Sequence, residues 1–228
     1  MAGSTSRISG LFATDSKFPD GNTLFDTNGA PIEIGKYLSV TAGVGVTPNS
    51  STHGTVTTST NIAAVYSGLL TTIIPGDSTT NKILPQIAMP FSLKKSKLDN
   101  LAYAGYVGVA LRQAGTAVVS GELATSDLSD YDYVSTAIII ADVVGRIRNR
   151  LEPFIGKGLN DITLAAVDTA VESVFEETVK AGSVVKYAYQ VLSDPQERGQ
   201  GHLRVPITIV PAFELRQVSV SIKLAYDI

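Results

Sequence analysis

STAIIIADVVGRIRNRLEPFIGKGLNDITLAAVDTAVESVFEETVKAG, residues 135–182, decides the fold, because it spells two amphipathic helices and the turn between them. From Ser135 to Leu151, the residues Ile138, Ile139, Val143, Ile147 and Leu151 recur near a 3.6-residue period. That period lays one apolar stripe along an otherwise polar cylinder. Pro153 lacks the backbone donor a helix needs and clashes with the turn before it, so the first helix must stop there. From Asp161 to Ala181, the residues Leu164, Val167, Val171, Val174 and Phe175 share a second face. Asn160 stands where a side chain can cap the orphan N–H groups, and Gly182 where a left-handed residue can end the helix.

Two stripes of this length need an apolar partner, and the following residues supply it. Val184 to Leu192 reads as a strand. Leu203, Val205, Ile207 and Ile209 then alternate with polar or small residues, and Val218, Val220, Ile222 and Leu224 do so again. Period-2 alternation marks half-buried strands. The last two are joined by Pro211-Ala212-Phe213-Glu214. The expected fold is α+β, a mostly antiparallel sheet with two long helices packed on one face and extended terminal segments.

Upstream the pattern is more broken. Residues 1–33 are turn-rich, with Pro19-Asp20-Gly21-Asn22 and Asn28-Gly29, and are expected to be an extended or turn-rich N-terminal segment before a domain at 34–228. Ile34 to Val46 alternates as a strand, whereas the Thr- and Ser-rich Thr47 to Thr60 reads as a loop. Asn61 is placed to cap a short helix through Leu70, and Pro75, Pro85 and Pro90 make the next stretch irregular. A second short helix is expected over Lys97–Ala104. Tyr106–Leu111 and Ala117–Val119 read as a strand pair turning around Gln113-Ala114-Gly115.

Composition narrows the function classes. Charged residues make up 17% of the 228, against roughly 25% in ordinary domains, which suits a surface buried against other subunits. A net charge of −3 gives no general nucleic-acid footprint. With no cysteine, neither a disulfide nor a thiolate metal site is available. The sequence has no run near the roughly 20 apolar residues of a spanning helix.

Catalytic patterns are thin. His53 and His202 both stand in polar, loop-like settings, and no Gly-x-Ser-x-Gly elbow presents a nucleophile, so a hydrolase is the remote alternative. Gly156-Lys157-Gly158 lacks both the upstream glycine and the trailing Ser or Thr of a phosphate loop. Ala42-Gly43-Val44-Gly45 lacks the third glycine of a dinucleotide fingerprint. Asp127, Asp130 and Asp132 lack the central Gly and closing Glu of a calcium loop, and favour the dipole of the helix they precede. No cofactor and no metal are expected. Arg146, Arg148, Arg150 and Lys157 form the notable basic cluster. Cations near a helix C-terminus account for part of it, but three guanidinium forks also suit fixed carboxylates across an interface.

The order of features resembles the contractile phage tail sheath family. Pro31 to Val40 is similar to its linker, followed by Leu98-Asp99-Asn100-Leu101, Gly105-Tyr106-Val107 and Thr125 to Tyr131 before the first long helix. Glu152-Pro153-Phe154-Ile155-Gly156-Lys157, Ala181-Gly182 and Phe213-Glu214-Leu215 complete the series. The resemblance implies a structural, non-enzymatic subunit that stacks in six-fold rings around a tail tube and contracts by rigid-body rearrangement without nucleotide hydrolysis. It implies self-association, a tail tube protein, and a baseplate and tail terminator as partners, with no direct nucleic-acid or membrane contact. Assembly in the host cytoplasm and residence in the virion tail follow from it. Subunits of that family link by strand exchange, which would use Val218, Val220, Ile222 and Leu224 as a donated strand, and the basic surface of Arg146, Arg148, Arg150 and Lys157 would be a second face toward a subunit or the tube. The alternative is a tail terminator or baseplate-associated assembly protein on the same fold. Family members carry a substantial N-terminal part and outer domains ahead of the linker, so this sequence is expected to be a fragment, an unusually short sheath or a sheath-like relative, and in each case a sheath core.

Overall fold

The computed structural model describes residues 34–43, 45–51, 54–85, 87–125 and 129–215. The expected N-terminal segment 1–33 and the expected strand through Val218, Val220, Ile222 and Leu224 lie outside the described residues.

The fold is α+β, and among the described residues the strands are divided among three small sheets. Strand β1 (Val40–Ala42) pairs in parallel with β4 (Tyr106–Arg112), which pairs antiparallel with β5 (Gly115–Val118). Strands β2 (Gly45–Ser51) and β3 (Gly54–Thr60) form an antiparallel hairpin, and β6 (Val184–Tyr189) pairs antiparallel with β7 (Ile207–Pro211). Five α-helices lie among the described residues: α1 (Ile62–Leu70), α2 (Lys95–Tyr103), α3 (Val134–Leu151), α4 (Asp161–Lys180) and the single turn α5 (Pro195–Gly199).

Two corrections concern the upstream half. The expected strand over 34–46 is instead a 3-10 turn at Ile34–Tyr37, then β1, then a break at Gly43, whose φ of +139° only glycine adopts without strain. The expected loop over 47–60 is the β2–β3 hairpin, in register from Gly45↔Thr60 to Ser51↔Gly54. Threonine is polar by hydropathy but β-branched in shape. A Thr-rich run therefore favours extended backbone without showing the apolar alternation by which strands are recognised.

The first core gathers Ile62 and Tyr66 of α1, Leu84, Ile87 and Met89 of the proline-punctuated stretch, and Val107, Val109 and Val118 of the β4–β5 pair. Gly108 leaves the other face of β4 open to Leu98 of α2; a Cβ there would lie 3.6 Å from Leu98 Cδ2.

The second core holds the long helices. Ile139, Val143 and Ile147 of α3 meet Val167, Val171, Val174 and Phe175 of α4, as the 3.6-residue stripes require. Tyr187, Tyr189, Ile207 and Ile209 of the β6–β7 pair pack against them. Phe175 is fully buried and stacks on Tyr187, with ring centroids 4.5 Å apart and 8° between planes, and on Tyr189 at 5.6 Å. The expected caps are in place. Asn160 Oδ1 accepts from the Thr163 amide at 2.9 Å, and Asn61 Oδ1 from the Ala63 amide at 2.9 Å. Gly182 ends α4 at φ +78°, while the Ser183 amide donates to the Thr178 carbonyl at 3.2 Å.

A candidate assembly surface

The basic cluster lies at the C-terminal end of α3, where two guanidinium groups already have partners in this chain. Arg146 Nε donates to Asp142 Oδ2 at 2.7 Å, one turn earlier, and Arg150 Nη2 donates to Glu177 Oε1 at 2.6 Å across to α4. Arg146 Nη1 also stands 3.9 Å from Glu177 Oε2, so one carboxylate serves two arginines. The carboxylates that these two forks meet belong to the neighbouring turn and the neighbouring helix of the same chain. The Asp142–Arg146 pair was legible from its i, i+4 spacing. Glu177 carries no such local signal.

Arg148 points elsewhere and makes no ion pair among the described residues. It lines a groove between α3 and the Ile34–Tyr37 turn, beside Lys36, Tyr37 and Ala141. Lys157 sits in the turn after α3 with its ammonium 4.9 Å from the Phe154 ring centroid, within cation–π range. Between the two, Ile155 is 82% exposed at the tip of the turn. Of the four basic residues in the cluster, Arg148 and Lys157 are the two without an ion pair among the described residues, on either side of the exposed Ile155.

The second part of the surface is the β6–β7 sheet. Among the described residues β7 pairs with β6 alone. Ile207 and Ile209 face the helices, while Thr208 and Val210 are exposed. Beside β7 runs an open groove lined by Tyr131, Tyr133, Ile140, Val144 and Phe213, with Val210 on its strand side. Phe213 is 73% exposed. Sequence reasoning missed this groove, because Ile140 and Val144 stand off the main stripe of α3 and reveal their role only once β7 is beside them.

The remaining candidates are dispersed. His202 is exposed in the loop after α5, with its amide donating to the Glu197 carbonyl at 2.8 Å, and His53 lies outside the described residues. Gly156-Lys157-Gly158 is the turn into α4, with the Lys157 amide donating to the Phe154 carbonyl at 3.1 Å. Asp132 accepts a hydrogen bond from Thr125 Oγ1 at 3.1 Å, and the first turn of α3 contains no acidic residue. Asp127 lies outside the described residues. Among the described residues no cluster of His, Asp and Glu could hold a metal ion, and no helix is long and apolar enough to cross a membrane.

No known sequence family and no curated protein matches the chain. Solved structures do. The chain of the contracted helical sheath of the anti-feeding prophage superposes with a TM-score of 0.65 at 17% identity, over 96% of this chain and 65% of that one. The contracted sheath complex of the PVC extracellular contractile injection system gives 0.67 at 14% identity, over 90% and 62%. A chain of the six-fold symmetrised baseplate of the anti-feeding prophage gives 0.63 at 15% identity, over 72% and 49%. The chain has the fold of contractile sheath proteins, as its order of features implied, and spans about half to two thirds of the length of these relatives.

Proposed function

We propose that this chain is a structural subunit of a contractile sheath, polymerising around a tube and contracting by rigid-body rearrangement rather than by catalysis. The observation that carries the reading is the sheath fold over nearly the whole chain. In this reading residues 34–228 act as one unit that repeats through open, heterologous contacts into a helical polymer. A strand donated by a neighbour extends the β6–β7 sheet at the groove edge. Val218, Val220, Ile222 and Leu224 supply the matching strand to the next subunit. Main-chain hydrogen bonds then tie subunits together while each core turns as a body, which is what a lattice needs if it is to shorten without tearing. Arg148 and Lys157, flanking Ile155, face the tube, with Arg146 and Arg150 holding α3 to α4 behind them.

Electron microscopy of the purified chain tests this directly. Tubes or striated sheaths are expected, and they should be lost when the chain is cut after Leu215. A monodisperse monomer under all polymerising conditions would overturn the reading. A second reading, a baseplate-associated assembly protein, is favoured by the likeness to the baseplate chain. Copy number separates the two: many copies along the particle for a sheath, few at one end for a baseplate part.

A further inference from the structure

The last side chain that ties the described chain down is Glu214. Ser135 Oγ donates to its Oε1 at 2.6 Å, and Thr80 Oγ1 donates to its Oε2 at 3.2 Å. The first bond is short, as a hydroxyl on an ionised carboxylate should be. Ser135 is 3% exposed, in the first turn of α3. The N-cap residue Tyr133 makes no side-chain cap bond and the turn has no acid of its own, so Glu214 brings a carboxylate to the positive end of a long helix from far along the chain.

Three parts of the molecule meet at this residue. Thr80 belongs to the turn fixed on β5, where the Asn81 amide donates to the Val118 carbonyl at 2.8 Å. Ser135 belongs to α3, whose Val134 amide donates to the Gly121 carbonyl at 3.0 Å. Glu214 itself follows β7, after the Ala212 amide has donated to the Ser183 carbonyl at 3.0 Å. The carboxylate therefore joins the first core, the head of the long helix and the end of the sheet. Its neighbours Phe213 and Leu215 are 73% and 83% exposed, so only the residue between them turns inward.

We propose that Glu214 is a built-in anchor that fixes the chain at the end of β7, through Leu215, to both cores. It is a positioning residue, and the anchor holds in the isolated subunit whether or not the chain polymerises.

The absence of cysteine makes the test clean. Leu215→Cys gives a single site for a nitroxide, and Ile162→Cys on α4, 81% exposed, gives a control far from the clasp. Electron paramagnetic resonance of the full chain should show a slow-motion component at position 215. Glu214→Ala and Ser135→Ala should each convert it to a fast-motion spectrum, with Thr80→Val causing a smaller change. The control at position 162 should not move. An unchanged spectrum at position 215 in Glu214→Ala would overturn the proposal, even if thermal stability fell, because the carboxylate would then be only a helix cap. Equal loosening at both labels would overturn it too. Should Glu214→Ala fail to fold, Ser135→Ala and Thr80→Val each remove one leg of the clasp and decide the matter by the same readout.

Discussion

Replacing Phe175 with alanine should remove the largest single contribution to the seam between α4 and the β6–β7 sheet. The ring is fully buried and lies against Tyr187 at 4.5 Å and Tyr189 at 5.6 Å. An aromatic side chain buries about 200 Å². At about 25 cal/mol/Å² that is about 5 kcal/mol, an upper bound because the unfolded chain is already partly collapsed. Measured Phe→Ala losses of about 3–5 kcal/mol agree. A domain's whole stability is about 5–15 kcal/mol, so the substitution takes about a fifth or more of it. Guanidinium unfolding of the full chain reads the effect as a lower midpoint at unchanged slope. Phe175→Leu keeps most of the volume and loses the ring contacts, and should cost clearly less. A double-mutant cycle with Tyr187→Leu should return a coupling of about 0.5–1.5 kcal/mol. A loss under about 1 kcal/mol for Phe175→Ala would refute the reasoning, since the long helices would then not be held to the sheet through this stack.

Gly182→Ala should cost about 1 kcal/mol by the same measurement, purely from backbone strain at φ +78°, because no atom lies within 4 Å of the added methyl. Glu177→Ala should cost less than about 1 kcal/mol, since the pairs it makes with Arg146 and Arg150 are half exposed and screened; a midpoint shift as large as that of Phe175→Ala would show the pairs to be structural. The Tyr187 hydroxyl donates to Glu172 Oε1 at 2.7 Å and holds that carboxyl below its ordinary 4.5. The folded chain therefore binds this proton more weakly than the unfolded chain, so the contribution is present above that value and lost as pH falls through the lowered one. The difference in Tm between the parent and Tyr187→Phe should be largest near neutral pH and shrink in acid; a difference independent of pH would sink this account.

Where apolar residues repeat at a fixed period, the sequence was enough. Ile139, Val143 and Ile147, then Val167, Val171 and Val174, point inward because a 3.6-residue period permits nothing else, and Asn160 and Gly182 mark the ends they were expected to mark. Asp194 and Glu197 carry the capping-box spacing that opens α5, a local signal that the apolar periodicity did not reveal. The β2–β3 hairpin escaped because hydropathy cannot see β-branching in threonine. The site was harder still. Arg146 and Arg150 find Glu177 across 31 and 27 residues of chain, and Glu214 finds Ser135 and Thr80 across 79 and 134. Contacts at such separations follow from the packing of whole elements and leave no trace in local spacing.

The two-stranded β6–β7 sheet has a further consequence, for handling the protein rather than for its working. A pair of strands cannot stand alone in water, and here the helices hold it up on one face while, among the described residues, no third strand pairs with the outer edge of β7, where an extended peptide can add. Proline limits that hazard. Pro206 precedes β7 and Pro211 ends it, and neither can donate to an added strand, so the stretch able to take a guest is only as long as Ile207 to Val210. Long, promiscuous fibrils need continuous edges, and this one is clipped at both ends. A clipped edge discriminates by length and by fit, so misassembly during expression should yield short, reversible oligomers in place of amyloid.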